Sequence, residues 1–347
     1  MFNALPSRRS LLASALALPA LAVSGTKGFA QAALPLRVSL NGPFDGSNAA
    51  FFLAEEKGYY RDAGLAPQFD PSGGSGEAVT RIGSNVYDFG FADLNVLMEF
   101  NQKNPGQAGR SVYMLYYRSP LCVAYLAKTP IKTPADLAGR KIGAAAPDGA
   151  YRLFPAYVAK TGLVAKDIVW DMVGLQLREA VLSRGDVEAI LGFDSTMYFG
   201  LQKAGVKAED IKFLYYSDVG LDLYGNGIVA SKKILETNPE AVRKFVAATA
   251  RGWQDAIANP DAAIAALKKR AELTNVSIET EKLKWLIKNQ IVTDESRKSG
   301  LGVVSPERLA ASIATVAPAY GLPTIPKPSD IFDASYLPAD AIRRLPI

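Results

Sequence analysis

The sequence predicts a two-lobed α/β protein with two hinge crossings between the lobes and a helical C-terminal region. Three observations carry that expectation. Strand-like and helix-like segments alternate from Leu36 onward, which implies mainly parallel sheets covered on both faces. A second such alternation begins near Lys141 and is enclosed by the first. After Asn238 the apolar residues keep a helical period.

Leu36–Leu40 reads as a buried strand, Asn41–Gly46 as a loop, and Ala49–Lys57 as a helix capped by Ser47 or Asn48 and stopped at Gly58. Gln68–Asp70 is the second strand. Ser72-Gly73-Gly74-Ser75-Gly76-Glu77 then opens a helix that runs to about Asn85. Tyr87–Phe91 is the third strand, with a helix starting at Asp93. Val112–Ala127 is a long β-rich stretch. Thr133-Pro134-Ala135-Asp136 supplies a cap, a first-turn proline and an acid at the third position.

The second alternation has strands at Lys141–Ala144, Ile168–Val173, Val187–Leu191 and Phe213–Tyr216, with helices after Asp148, at Leu177–Ser183 and after Ser195. Pro155 falls inside the first of these helices, which is therefore either kinked or starts later. Val112–Leu126 and Gly227–Ala230 are the expected crossings. The expected boundaries are a leader at 1–32, lobe 1 at 33–126, lobe 2 at 127–223, and a return to lobe 1 at 224–347.

The first 32 residues have the order of a secretory signal: Arg8 and Arg9, an apolar run from Leu11 to Val23, then small residues to Ala32. Ser7-Arg8-Arg9-Ser10-Leu11-Leu12 also approximates the twin-arginine pattern, and both export routes fit. Of the formal charge of +5, three basic residues (Arg8, Arg9 and Lys27) fall in this leader, so the remainder is close to neutral. No basic stripe marks a nucleic-acid partner. The chain has no histidine and one cysteine, Cys122, in the apolar run Leu121–Leu126. That composition excludes histidine-dependent triads and zinc sites, and it makes Cys122 a buried thiol. No catalytic residue, metal or cofactor is expected.

In parallel α/β sheets ligands sit beyond the carboxyl ends of the strands. Phe44 and Asp45, Asp93, Asp148, and Phe193 with Asp194 each follow a predicted strand. Ser75 and Gly76 stand at the glycine-rich helix start, whose N–H groups suit an acceptor. For each Asp taken alone, capping of the next helix is the competing role.

Several segments in this order resemble one family. They are Phe51-Phe52-Leu53-Ala54-Glu55-Glu56-Lys57-Gly58-Tyr59-Tyr60 with Asp62-Ala63-Gly64-Leu65, Gly73–Gly76, Asp88–Asp93, Thr133–Gly143, Tyr224–Gly227 and Asn238-Pro239-Glu240. The chain resembles ABC-transporter periplasmic solute-binding proteins of the nitrate, sulfonate, taurine and thiamine-pyrimidine type. The resemblance implies a type II periplasmic-binding-protein-like fold and a monomer that closes on a small-molecule ligand and delivers it to an ABC transporter permease. It implies ligand contacts at Phe44, Asp45, Ser75, Gly76, Asp93, Asp148, Phe193 and Asp194, with Tyr224 at the return crossing. The first loop, Asn41–Asp45, lacks the histidine of pyrimidine-binding members, so the ligand stays open among anionic, zwitterionic and amino-heterocyclic molecules. Two alternatives are an enzyme of thiamine-pyrimidine synthesis and a ligand-sensing partner of a membrane receptor.

Overall fold

Two five-stranded mixed sheets form the frame, with strands in the order Leu65–Asp70, Leu34–Ser39, Phe89–Asp93, Asn226–Ala230, Arg110–Met114 in one and Val169–Met172, Lys141–Ala144, Ala189–Phe193, Leu121–Leu126, Ile211–Tyr215 in the other. The structure is a computed structural model that describes residues 32–346, so the expected leader and its export motif lie outside the described residues. Both sheets lie within the one unit Ala33–Ile347.

The first sheet is entered through β1 (Leu34–Ser39), α1 (Ala49–Glu56), α2 (Tyr59–Asp62), β2 (Leu65–Asp70), α3 (Ser75–Gly83), β3 (Phe89–Asp93), α4 (Leu94–Lys103) and β4 (Arg110–Met114). β1 pairs in parallel with β2 and β3, as the alternation implies. The second sheet takes β5 (Leu121–Leu126), β6 (Lys141–Ala144), α5 (Gly149–Thr161), β7 (Val169–Met172), α6 (Arg178–Arg184), β8 (Ala189–Phe193), α7 (Asp194–Lys203) and β9 (Ile211–Tyr215). The chain returns through β10 (Asn226–Ala230), antiparallel to β3 and β4. It ends in helices: α8 (Lys232–Thr237), α9 (Pro239–Ala258), α10 (Pro260–Arg270), α11 (Val276–Leu286), α12 (Asp294–Ser299) and α13 (Pro306–Ala319).

One detail differs from the sequence reading. Val112–Ala127 is not one stretch of lobe 1. β4 belongs to the first sheet, while β5 pairs with β8 and β9 in the second. Pro120 precedes β5, and a proline has no N–H to continue a ladder, so the chain passes from the first sheet to the second within the expected crossing Val112–Leu126, before β5. The helix after Asp148 begins at Gly149, where the sequence placed it, and runs through Pro155, so the later start is excluded.

The apolar stripe of α9 seals the first sheet. Phe245 stacks on Phe89 with centroids 4.1 Å apart, and Trp253 packs edge-on against Phe51 at 6.2 Å. Aromatic pairs of this kind add about 0.5–1.5 kcal/mol beyond the area they bury. The result is a rigid frame that holds the ends of β1 and β3 toward the second lobe.

Candidate ligand cleft

The lobes meet where the strands of both sheets end. Gly76, at the start of α3, donates its N–H to the Pro147 carbonyl of the second lobe at 2.9 Å. Glu99 of α4 pairs with Arg152 of α5 at 2.9 Å. Beside the Gly76–Pro147 contact lies a cavity of about 40 Å³. The first lobe lines it with Asn41, Pro43, Asp45, Ser47, Gly74 and Ser75; the second with Asp148, Gly149, Leu175, Arg178, Phe193 and Thr196.

Each polar side chain here is placed by the turn that carries it. Asp45 caps the short helical turn Gly46–Asn48 by accepting from Ser47 N at 2.9 Å. It also pairs with the buried Lys282 of α11. Burial pushes the Asp45 carboxyl up, but the Lys282 ammonium outweighs it and holds the group below the usual range. Ser75 Oγ accepts from Asp93 N at 3.1 Å, which ties the glycine-rich helix start to the end of β3. Asp148 caps α5 through Ala150 N at 2.7 Å and takes Nη1 of Arg178 at 2.8 Å.

Arg178 is the charged centre of the second lobe. It is 1% exposed and also pairs with Glu179 at 2.7 Å and with the Leu191 carbonyl at 3.0 Å. Gly192 makes the room: a Cβ there would fall 2.3 Å from Nη1. Burial raises the Asp148 carboxyl, and Arg178 only partly offsets this. Both cations at the site, Lys282 and Arg178, already face carboxylates, whereas Asn41 Oδ1 is buried without a partner among the described residues.

Asp45, Ser75, Asp148 and Phe193 therefore line the cavity. The other expected residues do not. Phe44 turns away from it, edge-on to Phe52 at 5.1 Å and under the Arg270 guanidinium at 5.8 Å. The N–H of Gly76 is spent on Pro147. Tyr224 is buried at the return crossing, bonded to Glu295 and accepting from Ser305 N at 2.9 Å, which fixes the C-terminal helices. Asp194 accepts from Ser195 N at 2.6 Å, Tyr215 Oη at 3.3 Å, Trp285 Nε1 at 3.2 Å and Gln290 Nε2 at 2.9 Å. Its place is among protein donors because α11 folds back over the end of β8. Arg178, Asn41 and Thr196 also line the cavity, though the sequence did not single them out. No local pattern marks them, since an arginine in the first turn of α6 looks like any solvated charge.

Asp93 is fully buried beside Gly149, where a Cβ on that glycine would lie 3.7 Å from Asp93 Cβ. Its Oδ1 caps α4 through Asn95 N at 2.8 Å, and its Oδ2 has no partner among the described residues. Burial pushes this carboxyl up to about 6, with Asp148 adding to the rise. The folded state thus holds a proton that the unfolded chain releases near the ordinary value of 3.8. The contribution to stability is present below that value and is lost as pH rises to about 6. Asp93→Asn keeps the capping oxygen and removes the titration. Urea melts across that window should show the wild type losing stability relative to the variant, and parallel profiles would contradict the assignment.

Residues 46–263 match the family model described as NMT1/THI5 like. The chain belongs to the NMT1/THI5-like family. That membership agrees with the resemblance drawn from the motifs between Phe51 and Glu240. Over 220 residues this NMT1/THI5-like chain is 31% identical to the riboflavin-binding protein RibY of Chloroflexus aurantiacus, covering 62% of this chain and 60% of that protein. Over 225 residues it is 24% identical to 4-amino-5-hydroxymethyl-2-methylpyrimidine phosphate synthase of Aspergillus parasiticus, covering 62% and 65%. The matches thus span less than two thirds of either curated relative. The crystal structure of the periplasmic aliphatic sulphonate binding protein SsuA of Escherichia coli aligns with a TM-score of 0.66 at 17% identity, over 87% of this chain and 99% of that one. This likeness shows a periplasmic-binding-protein fold.

Proposed function

We propose that the protein is a periplasmic solute-binding protein that captures a small polar ligand between its lobes and delivers it to the permease of an ABC importer. The observation that supports this most is the cavity itself, walled by polar side chains from both lobes at the strand ends. A ligand there touches both lobes only when they meet, which couples binding to closure.

The charges favour a neutral or weakly cationic ligand that offers N–H donors. Asp45, Asp148 and Glu179 outnumber Lys282 and Arg178, and Asn41 adds an unpaired acceptor oxygen. A sulfonate would meet no cation that is not already engaged by a carboxylate in these pairs. Riboflavin and its single-ring analogues therefore stand ahead of alkanesulfonates as candidates. A thermal-shift screen of the mature chain against both classes tests this. Stabilisation by a neutral heterocycle is expected at about 2–3 kcal/mol when the ligand is at a hundred times its Kd; stabilisation by sulfonates alone would overturn the ligand class.

The fungal synthase relative raises a second reading, an enzyme of pyrimidine synthesis. The cleft argues against it. The chain has no histidine, and Cys122 is buried, its thiol pushed well above the ordinary range by desolvation. The carboxylates around the cavity are held in caps and ion pairs.

A further inference from the structure

The segment Val276–Ile291, which is α11 followed by the π-helical turn Ile287–Ile291, touches both lobes and the hinge at once. At its start Glu279 accepts the N–H of Gly46, in the first lobe's cleft loop, at 2.9 Å. The same carboxylate takes Lys203 of α7, in the second lobe, at 2.6 Å. One turn on, Lys282 pairs with Asp45. Trp285 stacks on Tyr198 of α7, with centroids 4.8 Å apart and planes at 27°, and donates Nε1 to Asp194 at 3.2 Å. The π turn closes the segment. Its wider i→i+5 pattern frees carbonyls from the helix ladder. The Gln290 carbonyl accepts from Tyr117 N at 2.8 Å and Arg118 N at 3.2 Å, both in the first hinge crossing, while its side-chain amide donates to Asp194 at 2.9 Å.

We propose that this segment is a strap that holds the lobes together before any ligand arrives, so that Trp285 and Gln290 act as positioning residues that set affinity without touching the ligand. The contacts it makes are internal to the protein and need no ligand to form. A binding site that exists only when the lobes meet has an apparent Kd equal to the intrinsic Kd divided by the closed fraction. Loosening the strap lowers that fraction and leaves the cavity wall intact, because neither Trp285 nor Gln290 lines it. The role of the strap in affinity rests on the proposed solute-binding function; its role in closure does not.

The test is therefore made without ligand. Spin labels on cysteines introduced at the exposed Thr80 and Gln176, one in each lobe, report the interlobe distance in the full mature chain. Cys122 is buried and does not compete for label. The wild type should show a dominant short distance, and Trp285→Ala should move most of the population to a longer one. Trp285→Phe, which keeps the stack on Tyr198 and loses only the bond to Asp194, should fall between them. A tenfold loss of closed population should weaken ligand binding about tenfold. A long distance in the unliganded wild type would overturn the proposal. So would a Trp285→Ala variant with a lowered melting temperature and an unchanged distance, since that outcome marks ordinary packing. Failure of every candidate solute to bind would count against the proposed function and leave this distance result standing.

Discussion

Replacing Arg178 with methionine should cost the fold about 3–5 kcal/mol, because it leaves buried carboxylates without their cation. Arg178 is held on the wall of the second lobe by Asp148 at 2.8 Å and Glu179 at 2.7 Å, with side-chain exposures of 8% and 12% for the two acids. Methionine fills a similar length but donates nothing. The stranded Asp148 carboxyl then resists ionisation still more than it does already. The penalty should consequently shrink as pH falls and the acids take up protons, since the native state of the variant binds more protons than its unfolded state. Urea melts at neutral and mildly acidic pH check both the size and the sign. An unchanged midpoint at neutral pH would mean that the ion pairs offset their own desolvation and that Arg178 is dispensable to the fold. Binding should be lost as well, because the same guanidinium holds the cavity wall in place.

Asp194→Ala is the second large effect, and its character departs from the sequence-based expectation. Read from the chain, Asp194 stands beyond a strand beside an aromatic residue, as a ligand contact would. The structure surrounds it instead with protein donors, Trp285 and Gln290 among them. Alanine leaves these buried donors unpaired at about 1–3 kcal/mol each. Burial also pushes the Asp194 carboxyl up to about 6, so part of the cost of keeping it charged disappears with it. The net expectation is a clear fall in the urea midpoint, with affinity lowered only as far as the lobes drift apart. A variant with a wild-type midpoint and a hundredfold loss of affinity would restore the ligand-contact role.

These two residues show what the sequence makes legible. Caps are local: Asp45, Asp93 and Asp148 each bond an N–H two residues on. A strand followed by Asp therefore announces both a helix start and the edge of the cleft. Asp45 and Asp148 reach the cavity for that reason, while Asp93 caps its helix without lining it. Arg178 and Asn41 escape notice because their importance comes from partners far along the chain or from none. Asp194 and Gln290 are 96 residues apart, and Lys282 and Asp45 are 237 apart. Nothing in the local pattern of α11 reveals that it will close over the cleft. The point within Val112–Leu126 where the chain changes sheets was not legible for a related reason. Val112–Ala127 is apolar on both sides of Arg118-Ser119-Pro120, and the sheet partners of β4 and β5 show that the two halves belong to different sheets.

The central claim is that the interlobe cavity is the ligand site. Calorimetric titration of the wild type and of Thr196→Trp, with whichever heterocycle the thermal-shift screen selects, tests it most directly. Thr196 lines the cavity and is only half-buried, so an indole there fills the cleft with little demand on the core. One saturable site is expected in the wild type, with a loss of at least about tenfold, or 1.4 kcal/mol, in the variant. Wild-type affinity in the Thr196→Trp variant, with an unchanged melting temperature, would place the ligand elsewhere and contradict the account.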